Sequence, residues 1–324
     1  MFPSSTQKKY WFFNSKEELA NLRQQANEKF IRRHCSDDTE EDIINSFLSP
    51  DEERQLCQLV EETAQKFCQS FNPPLLPSVI YTGFVFFKRF YLYNSVMEHM
   101  PKNIMMSCLY LASKVDEFNI SIDEFIRNLK SGTPQSNATV ILGLEAPIMR
   151  QLQYHLIVHS PYRPVEGHFI EMKTSCPTIP NVESMRAGCE EFLSRSLLSD
   201  ICFLFTPSQI ALAAVLHSGE QLGYDIYHNF IASVLCKGDV AKAESLLAKL
   251  KDCISVVSSL QTTSRESAGF LQSRAQQFMS QLDQIKETHR EKRKLESEQM
   301  ADAKRSKNMS TESTEEGSES DDDD

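Results

Sequence analysis

Apolar residues recur along this chain at intervals of three and four, and few stretches alternate apolar with polar, which predicts helices and not strands. From residue 50, "PDEERQLCQLVEETAQKFCQSF" sets Leu56, Val60, Thr63, Phe67 and Phe71 on one face. Its first turn carries acids, which the helix dipole favours. "NPP" breaks it. "PSVIYTGFVFFKRFYLYNSV" is apolar almost all round, and so is "PKNIMMSCLYLASKV", whose Pro101 suits a helix start. Apolar all round predicts burial. "SIDEFIRNL" and "NATVILGLEAPIMRQLQYHLIV" complete five helices, the last interrupted at Pro147.

Ahead of them, "NSKEELANLRQQANEKFIRRH" has Ser15 three residues before Glu18, a capping-box signature, and a narrow stripe of Leu19, Leu22, Ala26 and Phe30. The preceding "YWFF" is too small to form its own core, so both must lean on another part of the chain. Residues 34–46 read as a loop. After "HSPYRP" a second helical set follows: "EGHFIEMKT", "NVESMRAGCEEFLSRSLLSDICFLF", "TPSQIALAAVLHSGEQLG", "DIYHNFIASVLC" and "VAKAESLLAKLKDCISVVSSL". A shift of 106 residues lays Pro101 on Pro207, Ile104 on Ile210, Leu109 on Val215 and Ala112 on Ser218. With the same helix count and proline punctuation, this predicts two tandem bundles. A last helix, about 265–295, carries Leu271, Ala275, Phe278, Leu282 and Ile285. Its stripe fails at His289 and Lys292, too soon for a long coiled coil, so it is expected to dock back on the body.

The fold class is therefore all-α: 1–49 an N-terminal segment and helix, 50–160 and 161–260 two five-helix bundles, 261–300 a C-terminal helix, and 301–324 an acidic tail disordered by composition. Net charge is −11, of which residues 308–324 hold eight acids and no base, leaving about −3 for the rest. A near-neutral body is a poor surface for wrapping DNA, so no direct nucleic-acid binding is expected. No run is long and apolar enough for a membrane span, and the N-terminus has no signal-peptide core, so a soluble intracellular protein is expected. Nine cysteines without a CxxC read as reduced core residues and not as zinc ligands.

Catalytic and cofactor fingerprints are absent: no GxGxxG, GxxxxGK[ST], HExxH or GxSxG occurs. His155 and His159 lie four apart but close to a helix end and without a third ligand, so packing histidines are the better reading. Cys202, inside "DICFLF", is read as core. Basic clusters at 290–294 and 304–307 fit a bipartite nuclear import signal and equally an ordinary charged helix; Ser313, Ser318 and Ser320 each have an acid three residues on. One residue resists these assignments. Lys114 in "YLASKVDEF" falls between Tyr110 and Leu111 on the wheel, so it either snorkels on its methylene stem or anchors a partner.

"KRFYLYNSVMEHMPKNIMMSCLYLASKVDEFNIS", "LQYHLIVHSPYRPVEGHFIEMKT" and "FTPSQIAL" resemble the cyclin family, and nearly the whole chain outside the acidic tail shares the likeness. The resemblance implies two cyclin-box bundles, each with a central third helix. It further implies the regulatory subunit of the kinase that activates cyclin-dependent kinases, which as part of transcription factor IIH also phosphorylates the C-terminal repeats of RNA polymerase II. Partners would be a cyclin-dependent kinase catalytic subunit, a RING-finger assembly subunit and the core of transcription factor IIH, in the nucleus, with no cofactor. By the same resemblance Lys114 and Glu145 contact the kinase αC region, and Leu111, Val115, Met149, Tyr154 and Leu156 surround them. The likeness has two departures. Pro147 sits two residues after Glu145 and is expected to kink or delay that helix. The substrate-docking patch of cell-cycle cyclins is replaced by "ERQLCQLVEE". The alternative is a tandem cyclin-fold general transcription factor of the IIB type, which predicts a basic body and an N-terminal zinc ribbon.

Overall fold

The computed structural model describes residues 2–34, 47–261, 269–271, 273–278 and 280. Expectations for the loop at 35–46, the basic clusters and the acidic tail lie outside the described residues. Among those described, the regular structure is helical. A short α1 (Thr6–Tyr10) and a long α2 (Lys16–His34) precede α3 (Pro50–Gln69), α4 (Pro77–Phe90), α5 (Pro101–Val115), α6 (Ile122–Arg127) and α7 (Pro134–Gln151). The second half runs α8 (Tyr162–Ser175), α9 (Arg186–Ser196), a single turn α10 (Ile201–Leu204) and α11 (Pro207–Gln221). A π-helix (Tyr227–Leu235) and α12 (Val240–Ser258) complete it.

The sequence repeat is a structural repeat. α5 packs on α3, α4 and α7, while α11 packs on α8, α9 and α12, and each begins with proline after an extended residue. Ile104, Leu109 and Ala112 are buried in one, Ile210, Val215 and Ser218 in the other. Each central helix is approached closely by a glycine. A Cβ on Gly83 would sit 2.7 Å from Leu109 Cδ2 and 3.1 Å from its Cα, and one on Gly188 would collide with the Ser218 hydroxyl. Both approaches need a residue without a side chain.

The hydrophobic residues form two clusters, but the division does not follow the chain strictly. Leu197, Cys202 and Phe203, from the connector between α9 and α11, pack in the first cluster. They arrive with Asp200, whose Oδ2 lies 2.9 Å from Arg23 Nη2 and whose Oδ1 is 3.7 Å from Arg54 and 3.9 Å from Lys88. Glu61, 2.8 Å from Lys88 Nζ and 3.4 Å from Arg54, completes a cluster of three cations and two carboxylates. Lys88 and Glu61 are fully buried, 2% and 1% exposed. Burial opposes the charge on Asp200, but Arg54, Arg23 and Lys88 together outweigh it and hold the carboxyl below the usual range. Cys202 is buried, as expected from "DICFLF", and the eight described cysteines are all buried and free.

The terminal elements lean on the first bundle. Glu18 N–H donates to Ser15 Oγ, and the Glu18 carboxylate accepts from Asn14 N–H, one residue earlier than a strict capping box. Trp11 and Phe13 of the aromatic cluster are buried, and Phe13 N–H donates to Phe203 O at 2.9 Å. At the other end Phe278 packs against Phe30 and Phe47, and Arg274 pairs with Glu52 at 3.2 Å, so the described part of the last helix docks back on the body. One expectation is corrected. α7 runs unbroken through Pro147, whose missing N–H and ring face the exposed Gly143 turn. "DIYHNFIASVLC" is helical as expected but winds as a π-helix over Tyr227–Leu235, with Phe230 and Ile231 buried.

Two measurements check this packing. Asp200→Asn leaves three cations around Glu61 alone and is expected to lower unfolding free energy by about 3 kcal/mol in urea denaturation. Burial pushes the Glu53 carboxyl up to about 7, against hydrogen bonds from Ser95, Asn27 and the Val96 backbone. A carboxyl raised in the folded state stabilises while protonated, so its contribution is full below the unfolded value and is lost as pH rises through 7. Glu53→Gln is therefore expected to gain stability on wild type as pH rises from about 5 to about 8, by on the order of 3 kcal/mol.

Candidate functional site

The last turn of α5 and the second half of α7 lie side by side, and they bring Lys114 and Glu145 together. Lys114 Nζ lies 2.7 Å from Glu145 Oε1 and donates a hydrogen bond to Oε2 at 2.9 Å. The ammonium also sits 4.5 Å from the centre of the Tyr110 ring. Position explains the cation: a lysine in the final turn of a helix meets unpaired carbonyls and the negative end of the dipole. Its side chain is 46% exposed, whereas that of Glu145 is 14% exposed. Glu145 Oε1 is shut off from solvent and is held by the ammonium 2.7 Å away.

The other residues of the set separate. Val115, Met149 and Leu156 are half-buried on the rim of the first core. Tyr154 stands out, 66% exposed, next to an exposed Ile157, and Leu142 of α7 is exposed as well. Leu111, at 4% exposed, belongs to the first core. Ile157 lies past the end of α7, where no periodicity marks it, and Leu142 sits in an apolar run that spacing alone does not sort by face. An open groove between the bundles, lined by Leu76, Val115, Ile157, Val158, Tyr162 and Leu193, begins where this face ends.

The chain leaves α7 through two successive left-handed residues, Gln153 (φ 52°) and Tyr154 (φ 58°). Tyr154 N–H closes on Met149 O at 2.9 Å, and Gln153 N–H on Arg150 O at 2.9 Å. The two histidines are packing residues, and what they pack is the N-terminal segment. Trp11 Nε1 donates to His155 Nδ1 at 3.2 Å, Tyr10 stacks on the same ring, and His159 N–H donates to Gln7 Oε1 at 2.7 Å. Desolvation first, then Arg89 and Lys9, lower the His155 pKa, which keeps Nδ1 an acceptor. Among the described residues no cluster of three or more candidate metal ligands occurs, and no helix is long and apolar enough to cross a membrane.

Comparison with known proteins agrees with this architecture. Residues 17–157 match the cyclin N-terminal domain and residues 160–258 the cyclin C-terminal domain. The fold is that of a tandem-box cyclin. The chain is 43% identical to Cyclin-H of Xenopus laevis, over 70% of its own length and 71% of that protein. Its structure superposes on a chain of the Chaetomium thermophilum CAK complex bound to ATP-γ-S, with TM-score 0.71 and 23% identity, covering 88% of this chain and 93% of that one. A chain of the yeast TFIIK (Kin28/Ccl1/Tfb3) complex gives TM-score 0.60 and 25% identity, with 78% and 99% covered. The chain belongs to the cyclin-H family.

The geometry makes the free chain nearly indifferent to the charged pair. Because Lys114 is half in solvent, Lys114→Ala is expected to lower unfolding free energy by less than about 1 kcal/mol, read from denaturant midpoints.

Proposed function

We propose that this chain is the regulatory, non-catalytic cyclin subunit of a cyclin-dependent kinase-activating kinase. It binds a kinase catalytic subunit through the Lys114–Glu145 face, and acts with a RING-finger assembly subunit and the core of transcription factor IIH in the nucleus. The complex phosphorylates activation segments of cell-cycle kinases and, within transcription factor IIH, the C-terminal repeats of RNA polymerase II. The observation that carries the reading is the ion pair at the junction of α5 and α7, rimmed by exposed Tyr154, Ile157 and Leu142 and half-buried Val115, Met149 and Leu156. Membership of the cyclin-H family and likeness to a chain solved in the Kin28/Ccl1/Tfb3 complex support it.

The mechanism is orientation. A protein kinase needs its αC glutamate on the β3 lysine, and the placement of αC controls that pairing. Released from each other, Lys114 offers donors to helix-end carbonyls and Glu145 offers acceptors to N–H groups. The apolar rim excludes water when αC docks, which strengthens these charge-assisted bonds and makes an unpaired charge costly. In the free chain the two groups satisfy each other. Binding therefore exchanges one short ion pair for contacts to the helix and leaves no charge bare in either state.

The test is reconstitution with a cyclin-dependent kinase catalytic subunit. Lys114→Ala and Glu145→Ala are expected each to weaken binding on the order of 2–5 kcal/mol, chiefly in the dissociation rate, with a parallel loss of kinase activation. Unchanged binding by both variants would place the interface elsewhere.

A further inference from the structure

The turn that presents Tyr154 is strained, and its restraints come from far away in the sequence. Neither Gln153 nor Tyr154 is glycine, yet both are left-handed, a conformation that costs a residue with a Cβ about 1–2 kcal/mol. Such backbone persists only where its surroundings over-determine it. The two local hydrogen bonds back onto α7 are common to many helix ends. The remaining restraints are not local. Arg89, 1% exposed, donates from Nη1 to His155 O at 2.8 Å and lies 4.9 Å from the centre of the Trp11 ring. Trp11 in turn donates to the His155 side chain, and Tyr10 covers the other side of that imidazole at 4.7 Å. Further along, Gln7 accepts from His159 N–H, and Phe2 meets the His159 ring edge-on. The segment 155–159 is thus fastened at both ends by residues 2–11, and between the fastenings Ile157 faces out, as Tyr154 does just before them.

We propose that the N-terminal segment 2–11 is a positioning element for kinase binding: through Trp11 and Gln7 it locks the turn that projects Tyr154 beside the Lys114–Glu145 pair. The inference rests on the face assigned above. Trp11 is buried against Arg89 and touches no partner itself, so it acts only through the turn. It also accounts for the segment's composition. A tryptophan is needed because a single side chain must cover a guanidinium face and donate one hydrogen bond, and Gln7, buried at 3% exposure, is needed as an acceptor.

A double-mutant cycle on the full chain, bound to a cyclin-dependent kinase catalytic subunit, tests this. Trp11→Phe keeps an aromatic ring over Arg89 and removes the indole N–H that reaches His155. Gln7→Ala removes only the acceptor for His159 N–H. Each is expected to weaken kinase binding about tenfold in the wild-type background and less than about twofold in the Tyr154→Ala background, since a positioning residue loses its effect once the positioned side chain is gone. Melting temperatures measured alongside show whether each variant is folded; if Trp11→Phe is not, Gln7→Ala decides. Equal losses in both backgrounds, or no loss from either variant while Tyr154→Ala weakens binding, would overturn the positioning role and leave the face intact. Full-strength binding by Tyr154→Ala would remove Tyr154 from the face and overturn the positioning role with it.

Discussion

The cluster around Asp200 is the constraint on which the arrangement of this molecule depends. Arg23 comes from α2, Arg54 and Glu61 from α3, Lys88 from α4, and Asp200 from the connector of the second bundle. Charges so deeply placed are expensive to desolvate, and their attraction offsets the cost only if all partners arrive together. An apolar contact between the bundles would tolerate sliding; a set of ion pairs with lengths from 2.8 to 3.9 Å does not. The N-terminal helix and both bundles are thereby held in one register. The connector also delivers Phe203, whose carbonyl receives Phe13 N–H beside Trp11. The clamp on the turn after α7 thus begins from the same junction.

That rigidity is what a kinase activator needs. On this reading the molecule performs no chemistry of its own; it presents one surface at fixed geometry so that αC occupies one position and not several. α5, apolar nearly all round and packed on three neighbours, is poorly suited to move. The looser part of this face in the free chain is its charged pair, whose lysine is half in solvent.

Much of this was legible in the sequence, and the exceptions have physical causes. Helical periodicity gave the two bundles, and the 106-residue shift gave their equivalent central helices, because burial and close packing demand the same residue types at the same places. Lys114 was visible as a misfit on an apolar wheel. Helical spacing alone did not say that Leu111 is buried, because nearly every flank of this helix is apolar. The helix runs on through Pro147, and the carbonyl left without its donor is that of Gly143, which is exposed to solvent. The Trp11–His155 bond, spanning 144 residues, and the crossing of Asp200 into the first bundle are tertiary events that no local pattern records.

The central claim, that the kinase binds the α5–α7 face, is tested most directly by amide hydrogen exchange of the full chain with and without a cyclin-dependent kinase catalytic subunit. The account predicts that binding slows exchange at residues 110–118 and 142–158, while the outer surface of α2 and its contact with the C-terminal helix stay unchanged. Protection of α2 and the C-terminal helix, with residues 110–118 and 142–158 exchanging as in the free chain, would contradict it.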